Sequence, residues 1–475
     1  MRLYGKLPVP LQNLSLSMYG LILQRRYYGS GFSSWCEVYD AQEYFTHDQI
    51  NQWQVSEVRR LVDLASKYVP YYRDVFRKMG IEAKNVQALL DLRTFPILEK
   101  EVVRQNSKRL VDERRKQSDL IQDRTSGSTG TPLVVYWPMD VFPKWWALHE
   151  RRVRAWAGVS QNTPRAMVGG RPIVPGDSKG PYWRVNAIWR QLYMSSYHIS
   201  PETASQYIEA MDRYGCQWVT GYGSAISLLG AWLCEHPERN LSMRAIVTSG
   251  DNLLPSHRHA IETGFHCRVF DNYGSAEGCL VISECEQGRM HVQPESGVLE
   301  ILDEHDQPCA PGQLGEMIIT GLMNDGMPLI RYRIGDLAAW SNQKDECACG
   351  RVSPCISYIE GRSDEYLLMP DGRHIGRLST AIKKSLSLRA AQIVQDAPNH
   401  AWLLISPAKG YEHRDGETVR ADIISKIGAF PVDIREVEFL PRTKAGKQRL
   451  VVRLFDHPET AEIYKQQLAE IPWRC

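Results

Sequence analysis

Apolar and polar positions along the first 120 residues follow the spacing of helices. The run from Val55 to Tyr68 and the charged stretch Glu99–Gln117 are the clearest examples. An earlier apolar run, Leu14–Leu23, is diluted by Ser, Tyr and Gly and ends before Arg25, so it is too short to span a bilayer. It predicts a helix packed on the body of the protein, with weak attachment to a membrane surface as the alternative.

From about residue 165 to 340, short β-rich runs alternate with helical stretches. The candidate strands are Ala166–Val168, Trp218–Thr220, Ala245–Ser249, Arg268–Phe270, Glu295–Ile301 and Leu314–Thr320, and the helices between them include Pro201–Tyr214 and Ala225–Glu235. A Ser/Thr/Gly-rich loop at 125–131 leads into a further strand, Leu133–Trp137. Alternation of this kind predicts an α/β domain with a largely parallel sheet.

The character of the chain changes near residues 361–373, where a Pro370–Asp371–Gly372 turn follows a short run. The last 110 or so residues alternate β and α elements. We therefore predict an α/β protein: a large N-terminal α/β domain with mixed sheets over 1–363, and a small C-terminal α+β domain over 364–475.

The composition narrows the possible functions. Hydrophobic residues make up 43% and charged residues 24%, and 57 basic against 55 acidic residues leave a formal charge of +2, which gives no support for a nucleic-acid binder. The 11 cysteines are an odd number scattered along the chain. That pattern favours a reducing, cytoplasmic location, in which clustered cysteines serve metals or catalysis before disulfides.

The loop after residue 124 combines hydroxyls with glycines. Glycines let the backbone approach an anion, and N–H groups and hydroxyls can donate hydrogen bonds to phosphate oxygens. A Walker A motif would need a lysine in the second half of the loop, and none is present. A flexible polar turn is the alternative. The candidate phosphate-binding residues are Thr125, Ser126, Gly127, Ser128, Thr129 and Gly130.

Four further segments follow this loop in order: Asp271–Glu277, Tyr332–Asp336, Gly361–Asp364 and Pro441–Arg449. Together the five resemble the core motifs of the adenylate-forming superfamily, which includes acyl-CoA synthetases, nonribosomal-peptide adenylation domains and firefly luciferase. Cys347–Arg351 looks most like the phenylacetate–CoA ligase branch. The segment Leu7–Asn13 looks like relatives in capsular and surface-polysaccharide pathways.

The resemblance implies that the chain is an AMP-forming ligase with ATP and Mg²⁺ as cofactors. A carboxylate attacks the α-phosphate of ATP, so the site must offset the repulsion of two anions. Ser128 and Thr129 would hold the β- and γ-phosphates, and Glu277 would hold Mg²⁺. The resemblance also implies that Tyr273, in the motif Tyr273–Gly274–Ser275, stacks on the adenine and that Asp336 binds the ribose. Arg362 would contact phosphate or ribose, and Lys447 would stabilise the developing charge.

The sequence departs from the superfamily pattern at two places. Ala276 stands where Thr or Ser usually precedes the acidic residue, with Ser275 one place earlier, and the segment after Asp364 is only loosely similar. Two-step members rotate the small domain between half-reactions, so the resemblance implies a mobile C-terminal domain with its hinge at Asp364.

A possible structural zinc site combines a Cys-x-Cys pair with an upstream Cys and His. The four candidate ligands are Cys285, His291, Cys347 and Cys349. Three thiolates and one imidazole suit tetrahedral zinc, although the spacing is not that of a common zinc finger. Reduced, unpaired cysteines in a turn are the alternative, and Cys279 and Cys355 are further candidates.

The resemblance places the acid pocket among 169–171, 197–198, 221–224 and 249–251. Arg171, His198 and Asp251 hint at a polar acid, where an aryl acid would need a mostly apolar pocket. The resemblance implies coenzyme A or an amine as the acyl acceptor. The alternatives are an enzyme that loads a carrier protein and a non-catalytic relative kept as an interaction module; neither a nucleic-acid partner nor a membrane span is expected.

Overall fold

The computed structural model describes residues 4–124, 133–171, 173–175, 178–342, 346–362, 366–375, 378, 381–382, 387–408, 410–428, 430–442, 446, 448–455 and 458–473. Its helices are α1 (Val9–Tyr27), α2 (Phe32–Gln42), α3 (His47–Tyr68), α4 (Pro70–Met79), α5 (Lys100–Asn106), α6 (Val141–His149), α7 (Pro201–Tyr214), α8 (Gly223–Glu235), α9 (Pro255–Phe265), α10 (His413–Ile427) and α11 (Pro458–Gln467). Within that part of the chain, no helix is long and apolar enough to cross a bilayer.

The described part of the chain also contains twenty strands. They are β1 (Leu120–Arg124), β2 (Val134–Pro138), β3 (Arg165–Gly169), β4 (Trp183–Asn186), β5 (Gln191–Ser195), β6 (Trp218–Gly221), β7 (Ala245–Ser249), β8 (Arg268–Gly274), β9 (Val281–Glu284), β10 (Met290–Val292), β11 (Gly297–Leu302), β12 (Leu314–Gly321), β13 (Tyr332–Trp340), β14 (Cys355–Arg362), β15 (Leu367–Leu368), β16 (His374–Ile375), β17 (Leu388–Ala397), β18 (His400–Pro407), β19 (Val432–Glu436) and β20 (Val451–Arg453). Two compact units contain these elements: 1–17, 162–269 and 360–475 form the first, and 18–161 with 270–359 the second.

The first unit contains a largely parallel sheet in the order β7-β6-β3-β5-β4, with only β4 antiparallel to its neighbour. Helices α7, α8 and α9 bury apolar side chains against it, as expected where crossover helices cover a parallel sheet. The same unit holds a C-terminal α+β region whose strands follow the order β19-β18-β17-β20. Helix α10 buries Val419 and Ile423 in the core of that region.

The second unit contains a mainly antiparallel series of strands in the order β11-β12-β13-β14-β10-β9-β8. A separate hairpin pairs β1 with β2. The buried apolar faces of α3 and α4 and the inner residues of β12 and β13 form one continuous core, with Leu61, Phe76, Ile319 and Tyr332 among its fully buried side chains. The predicted fold class, a large α/β part with mixed sheets and a small C-terminal α+β region, is confirmed.

One predicted helix is much shorter than the pattern suggested. The charged stretch Glu99–Gln117 is helical only over α5, Lys100–Asn106. Beyond it the backbone donates to other segments, with the Asp112 amide bonded to the carbonyl of Gly326 and the Glu113 amide to that of Tyr68, both at 2.9 Å. Because these long-range hydrogen bonds replace the intrahelical ones, the charged pattern does not continue as a helix.

Candidate functional site

Two residues of the predicted nucleotide site contact each other in the second unit. Tyr273 lies near the end of β8, and Asp336 lies in the middle of β13 with only 6% of its surface exposed. The Tyr273 hydroxyl donates a hydrogen bond to Asp336 Oδ2 at 2.6 Å. A carboxylate has about four lone-pair positions, so Asp336 keeps capacity to accept hydrogen bonds from a ribose. The motifs at 271–277 and 332–336, far apart in sequence, therefore meet at one place.

Glu277, the predicted Mg²⁺ ligand, is a buried carboxylate with 2% of its surface exposed. Its Oε1 accepts a hydrogen bond from the Tyr332 hydroxyl at 3.2 Å and lies 3.9 Å from the ammonium of Lys100. A buried carboxylate is stable only when it is paired in this way. Mg²⁺ binds to proteins through one or two carboxylates together with substrate phosphates, and a single oriented carboxylate fits that requirement.

Ser275 and Ala276 occupy the position where the sequence departs from the superfamily pattern. The Ser275 hydroxyl oxygen is buried and has no hydrogen-bond partner among the residues that the structure describes. The carbonyl of Ala276 accepts a hydrogen bond from Trp137 Nε1 at 3.4 Å. A buried hydroxyl without a partner carries a desolvation cost that a ligand oxygen could relieve. Ser275 thus offers the hydroxyl that residue 276 lacks.

Gly278, directly after Glu277, packs against Trp137 too closely for any side chain. Its φ is +61°, and a Cβ would lie 1.9 Å from Trp137 Cη2. We expect Gly278→Ala to lower the free energy of unfolding by about 2–4 kcal/mol, since it adds a steric clash to the cost of a left-handed backbone. Chemical denaturation followed by tryptophan fluorescence measures the change.

Gly80→Ala is the matched control for that substitution. Gly80 has a φ of +65° but no heavy atom within 4 Å of the position of a Cβ. Gly80→Ala should lower the free energy of unfolding by only about 1 kcal/mol, which is the cost of the backbone conformation alone. Equal losses in the two variants would show that contact with Trp137 does not restrict residue 278.

Several predicted site residues lie outside the described residues. They are Thr125, Ser126, Gly127, Ser128, Thr129, Gly130, Asp364 and Lys447. Gly274 is the last residue of β8 and Arg362 the last residue of β14. The roles assigned to all of these residues remain predictions.

In the first unit, Asp251, a residue of the predicted acid pocket, is linked through Ser224 to Arg442, which the sequence did not single out. Asp251 Oδ1 accepts a hydrogen bond from the Gly223 amide at 2.8 Å, and its Oδ2 accepts one from the Ser224 hydroxyl at 2.5 Å. Arg442 donates to the same Ser224 hydroxyl at 3.0 Å. Burial raises the pKa of Asp251 and lowers that of Arg442, and the attraction between the two opposes both changes. Asp251 therefore caps α8 and fixes Arg442.

The segment before Lys447 packs closely on the predicted acid pocket. Gly446 has a φ of +73°, and a Cβ there would lie 2.8 Å from Ser196 Oγ and 2.9 Å from Gly170 Cα. Its carbonyl accepts a hydrogen bond from Arg442 at 3.2 Å. Only glycine satisfies both the backbone conformation and the close approach.

The polar side chains that hinted at a polar acid contact the protein itself. His198 Nδ1 lies 2.7 Å from Ser195 Oγ, and its ring stacks on Tyr182 with centroids 5.1 Å apart. Asp251 is used as a helix cap, and the guanidinium of Arg171 lies 5.6 Å from the ring centre of Tyr193. These contacts account for the polarity without a polar substrate.

The four predicted zinc ligands come together in the second unit. One ligand atom from each of Cys285, His291, Cys347 and Cys349 lies within 4.8 Å of all the others. Cys285 Sγ and Cys347 Sγ are 3.7 Å apart, and Cys349 Sγ is 3.5 Å from His291 Nε2. Tetrahedral zinc with bonds of about 2.3 Å to sulfur and 2.05 Å to nitrogen requires separations of about 3.8 and 3.5 Å. The donor set fits zinc in chemistry and spacing.

The surroundings of this cluster orient the ligands. His291 Nδ1 lies 3.0 Å from Ser353 Oγ, so the opposite nitrogen faces the cysteines. Burial lowers the pKa of His291 to about 4, which keeps the imidazole neutral and able to bind a metal. The Arg351 guanidinium lies 4.3 Å from the ring centre of Trp156 and pairs with Glu43 at 2.7 Å. Such outer contacts hold metal ligands in place.

Comparisons with known proteins identify relatives of the chain. A family model described as the CapK C-terminal domain matches residues 367–454. Protein CapK from Staphylococcus aureus is 27% identical over 344 residues, 72% of this chain and 73% of that protein. The phenylacetate–coenzyme A ligase of Thermus thermophilus is 24% identical over 336 residues, covering 69% of this chain and 73% of that enzyme.

A solved structure shares the fold. A 2-hydroxyisobutyryl-CoA ligase in the postadenylation state superimposes with a TM-score of 0.65 at 19% identity, covering 90% of this chain and 94% of the other. The shared fold is compatible with the order of the five motifs and with the match to the CapK C-terminal domain. The chain is therefore similar to CapK and to phenylacetate–coenzyme A ligases, and it shares the fold of a 2-hydroxyisobutyryl-CoA ligase.

Proposed function

We propose that the protein is an AMP-forming carboxylate ligase. The observation that carries this proposal is the meeting of Tyr273 and Asp336 through a 2.6 Å hydrogen bond, in the unit that also buries Glu277. Tyr273, Asp336 and Glu277 each have a different implied role in nucleotide binding, and the second unit holds all three in defined positions. The names of the phenylacetate–coenzyme A ligases that resemble the chain support the same reaction class.

In the first half-reaction, a carboxylate oxygen of the acid attacks the α-phosphorus of ATP. The new oxygen–phosphorus bond gives an acyl-adenylate, and the bond to the β-phosphate breaks to release pyrophosphate. Asp336 accepts hydrogen bonds from the ribose, Tyr273 stacks on the adenine, and Ser275 donates to a phosphate oxygen. Mg²⁺, when bound at Glu277, supplies positive charge to the phosphates.

Lys447 supplies the remaining positive charge. Its neighbour Gly446 lies against Gly170 and Ser196 at distances that tolerate no side chain. Arg442 ties the same segment to Ser224. A lysine directed from this segment to the reacting carboxylate would stabilise charge that develops in the transition state. We propose Asp364 as the hinge about which residues 364–475 later withdraw that lysine.

The second half-reaction transfers the acyl group from AMP to an acceptor. We propose coenzyme A as the acceptor, since the named ligases among the relatives are coenzyme A ligases; an amine, which would give an amide, is the alternative. A role in surface-polysaccharide synthesis is supported by the resemblance of Leu7–Asn13. We further propose that Cys285, His291, Cys347 and Cys349 bind a structural zinc ion.

The test of the proposal is acid-dependent release of pyrophosphate from ATP and Mg²⁺. The panel contains arylacetates, small hydroxy acids, amino acids and uronic acids, each with and without coenzyme A. AMP and pyrophosphate as products would support the proposal, and the acid with the highest kcat/KM would define the substrate class. ADP and phosphate would contradict it. ATP binding without turnover of any acid would favour an interaction module.

Asp336→Asn should raise KM for ATP by roughly 10- to 100-fold in this assay, because a hydrogen bond to a charged group contributes about 1.5–3 kcal/mol. Tyr273→Phe is the matched control. It removes the hydroxyl bonded to Asp336 but keeps the ring that would stack on adenine. We expect it to change KM for ATP by less than about threefold. An unchanged KM in Asp336→Asn would contradict the ribose role.

A further inference from the structure

Exposed apolar side chains are concentrated on the N-terminal helix. Seven of the fifteen large hydrophobic residues that are exposed in the described part of the chain lie between residues 7 and 22. Five of them fall within an arc of about 100° on α1, since successive helical residues are rotated by about 100°. We call these five residues the apolar stripe: Leu11, Leu14, Met18, Leu21 and Ile22.

The helix presents its polar side to the protein and its apolar side to solvent. Asn13 Oδ1 accepts a hydrogen bond from the Val185 amide at 2.9 Å, and Ser17 Oγ accepts one from the Ala187 amide at 3.1 Å. On the opposite side, Met18 is 65% exposed and Leu14 56% exposed. Leu23 is the buried apolar residue of α1, whereas an ordinary surface helix keeps most of its apolar residues against the core. The predicted helix thus lies against the body through Asn13 and Ser17, and Leu23 of the same run is buried, whereas Leu14, Met18, Leu21 and Ile22 face solvent.

The helix is firmly attached on its polar side. The side-chain oxygen of Gln12 accepts a hydrogen bond from the buried guanidinium of Arg184, and Gln12 Nε2 donates to the carbonyl of Leu7 at 2.7 Å. Arg184 also interacts with the Tyr4 hydroxyl. These hydrogen bonds join polar groups of the helix to polar groups of the protein body. They therefore fix the helix in the orientation in which the apolar stripe faces solvent.

The N-terminal segment that carries the apolar stripe contains basic residues but no acidic ones. Residues 1–36 contain no Asp or Glu but contain Arg2, Lys6, Arg25 and Arg26. Lys6 and Arg25 are exposed, one before the stripe and one after it. Basic residues therefore border both ends of a solvent-exposed apolar surface.

This charge pattern favours an anionic partner over a second copy of the chain. In a pair of helices that contact each other through the stripe, either orientation places a basic end against another basic end, which is unfavourable. An apolar face bordered by cations matches a bilayer surface that carries anionic lipids. We propose that α1 binds the surface of an anionic lipid bilayer, lying in its plane with the apolar stripe in the headgroup–acyl boundary. This inference is independent of the ligase proposal.

The experiment is flotation of the full-length protein with phosphatidylcholine vesicles that contain 30% phosphatidylglycerol, and with pure phosphatidylcholine vesicles. We expect binding to the anionic vesicles and at least tenfold weaker partition to the neutral ones. The triple variant Leu14→Ser, Met18→Ser, Leu21→Ser should lose at least about 90% of that partition, because it removes the inserted surface. Arg25→Gln with Arg26→Gln should weaken binding to anionic vesicles by roughly fivefold or more per arginine at low salt.

Met79→Ser with Leu90→Ser is the matched control, since both residues are exposed apolar side chains outside α1. It should float like the wild type. Absence of wild-type flotation, or equal flotation of the triple variant, would overturn the proposal. A dimer in light scattering that the triple variant dissociates would overturn it in favour of a subunit interface. Because flotation needs neither ATP nor an acid, its outcome is separate from that of the ligase assay.

Discussion

Replacing Lys447 with alanine should reduce acid-dependent pyrophosphate release by roughly 100- to 1,000-fold, while the affinity for ATP changes little. The reason is that a cation aimed at charge developing in the transition state contributes to kcat rather than to ground-state binding. Single-turnover formation of the acyl-adenylate, measured by rapid quench, reports the step directly. Full activity in the variant would show that another group stabilises the transition state.

A second variant tests the position of the lysine without removing it. Gly446→Ala places a Cβ 2.9 Å from Gly170 Cα, so the segment must move. We expect adenylation to fall at least tenfold, because a displacement of about 1 Å can cost that much in rate. Gly410→Ala is the control, with a φ of +85° and no heavy atom within 4 Å of the Cβ position. Equal rates in the two glycine variants would contradict the contribution of the Gly446 contacts.

The elements that could be predicted from the sequence are those with a strong local pattern. Helix α7 has the predicted bounds Pro201–Tyr214, and β7 has the predicted bounds Ala245–Ser249. Helix α8 begins two residues before the predicted Ala225, because Asp251, far along the chain, caps the amide of Gly223. A cap supplied from a distant residue leaves no signal in the local pattern.

The orientation of α1 is a second feature that periodicity could not settle. Apolar residues at helical spacing ordinarily face the core, and the run Leu14–Leu23 predicts a helix packed on the body without specifying the buried side. The body of the protein instead offers backbone amides at Val185 and Ala187, which bind the polar side of the helix. Which side of a helix is buried depends on the partner surface, and this surface is formed by residues far away in sequence.

The candidate site shows the same limit. Tyr273, Glu277 and Asp336 are candidates because each stands in a motif, whereas the sequence does not indicate Lys100 or Arg442 as their neighbours or partners. Lys100 lies 3.9 Å from Glu277 only because the fold brings α5 near the end of β8. Charged residues in polar segments are mostly solvated, so the sequence gives no reason to select Lys100, and the motif Pro441–Arg449 does not single out Arg442 among its basic residues. A motif identifies candidate residues, and the fold determines which other residues contact them.

Cys347→Ser should lower the zinc content from about one atom per chain to near zero. It should also lower the midpoint of the first thermal transition by several degrees, since a structural metal contributes directly to the folding free energy. Cys347 is buried beside Cys285, and a hydroxyl is a much poorer zinc ligand than a thiolate. Elemental analysis of protein purified without chelators measures the metal, and calorimetry measures the transition.

Cys355→Ser is the control for Cys347→Ser, because it distinguishes the loss of a zinc ligand from a general effect of losing a thiol. Cys355 Sγ lies 3.5 Å from His291 Nδ1, the nitrogen on the Ser353 side of the ring, and it is not among the four clustered ligands. Because one imidazole offers a single nitrogen to the metal, this variant should retain its zinc and melt near the wild-type temperature. Wild-type protein without zinc, or with a disulfide between Cys285 and Cys347, would contradict the metal site.

A zinc ion bound by Cys285, His291, Cys347 and Cys349 would connect β9 and β10 to the segment before β14. This connection would explain why the cysteines are clustered at this point of the second unit.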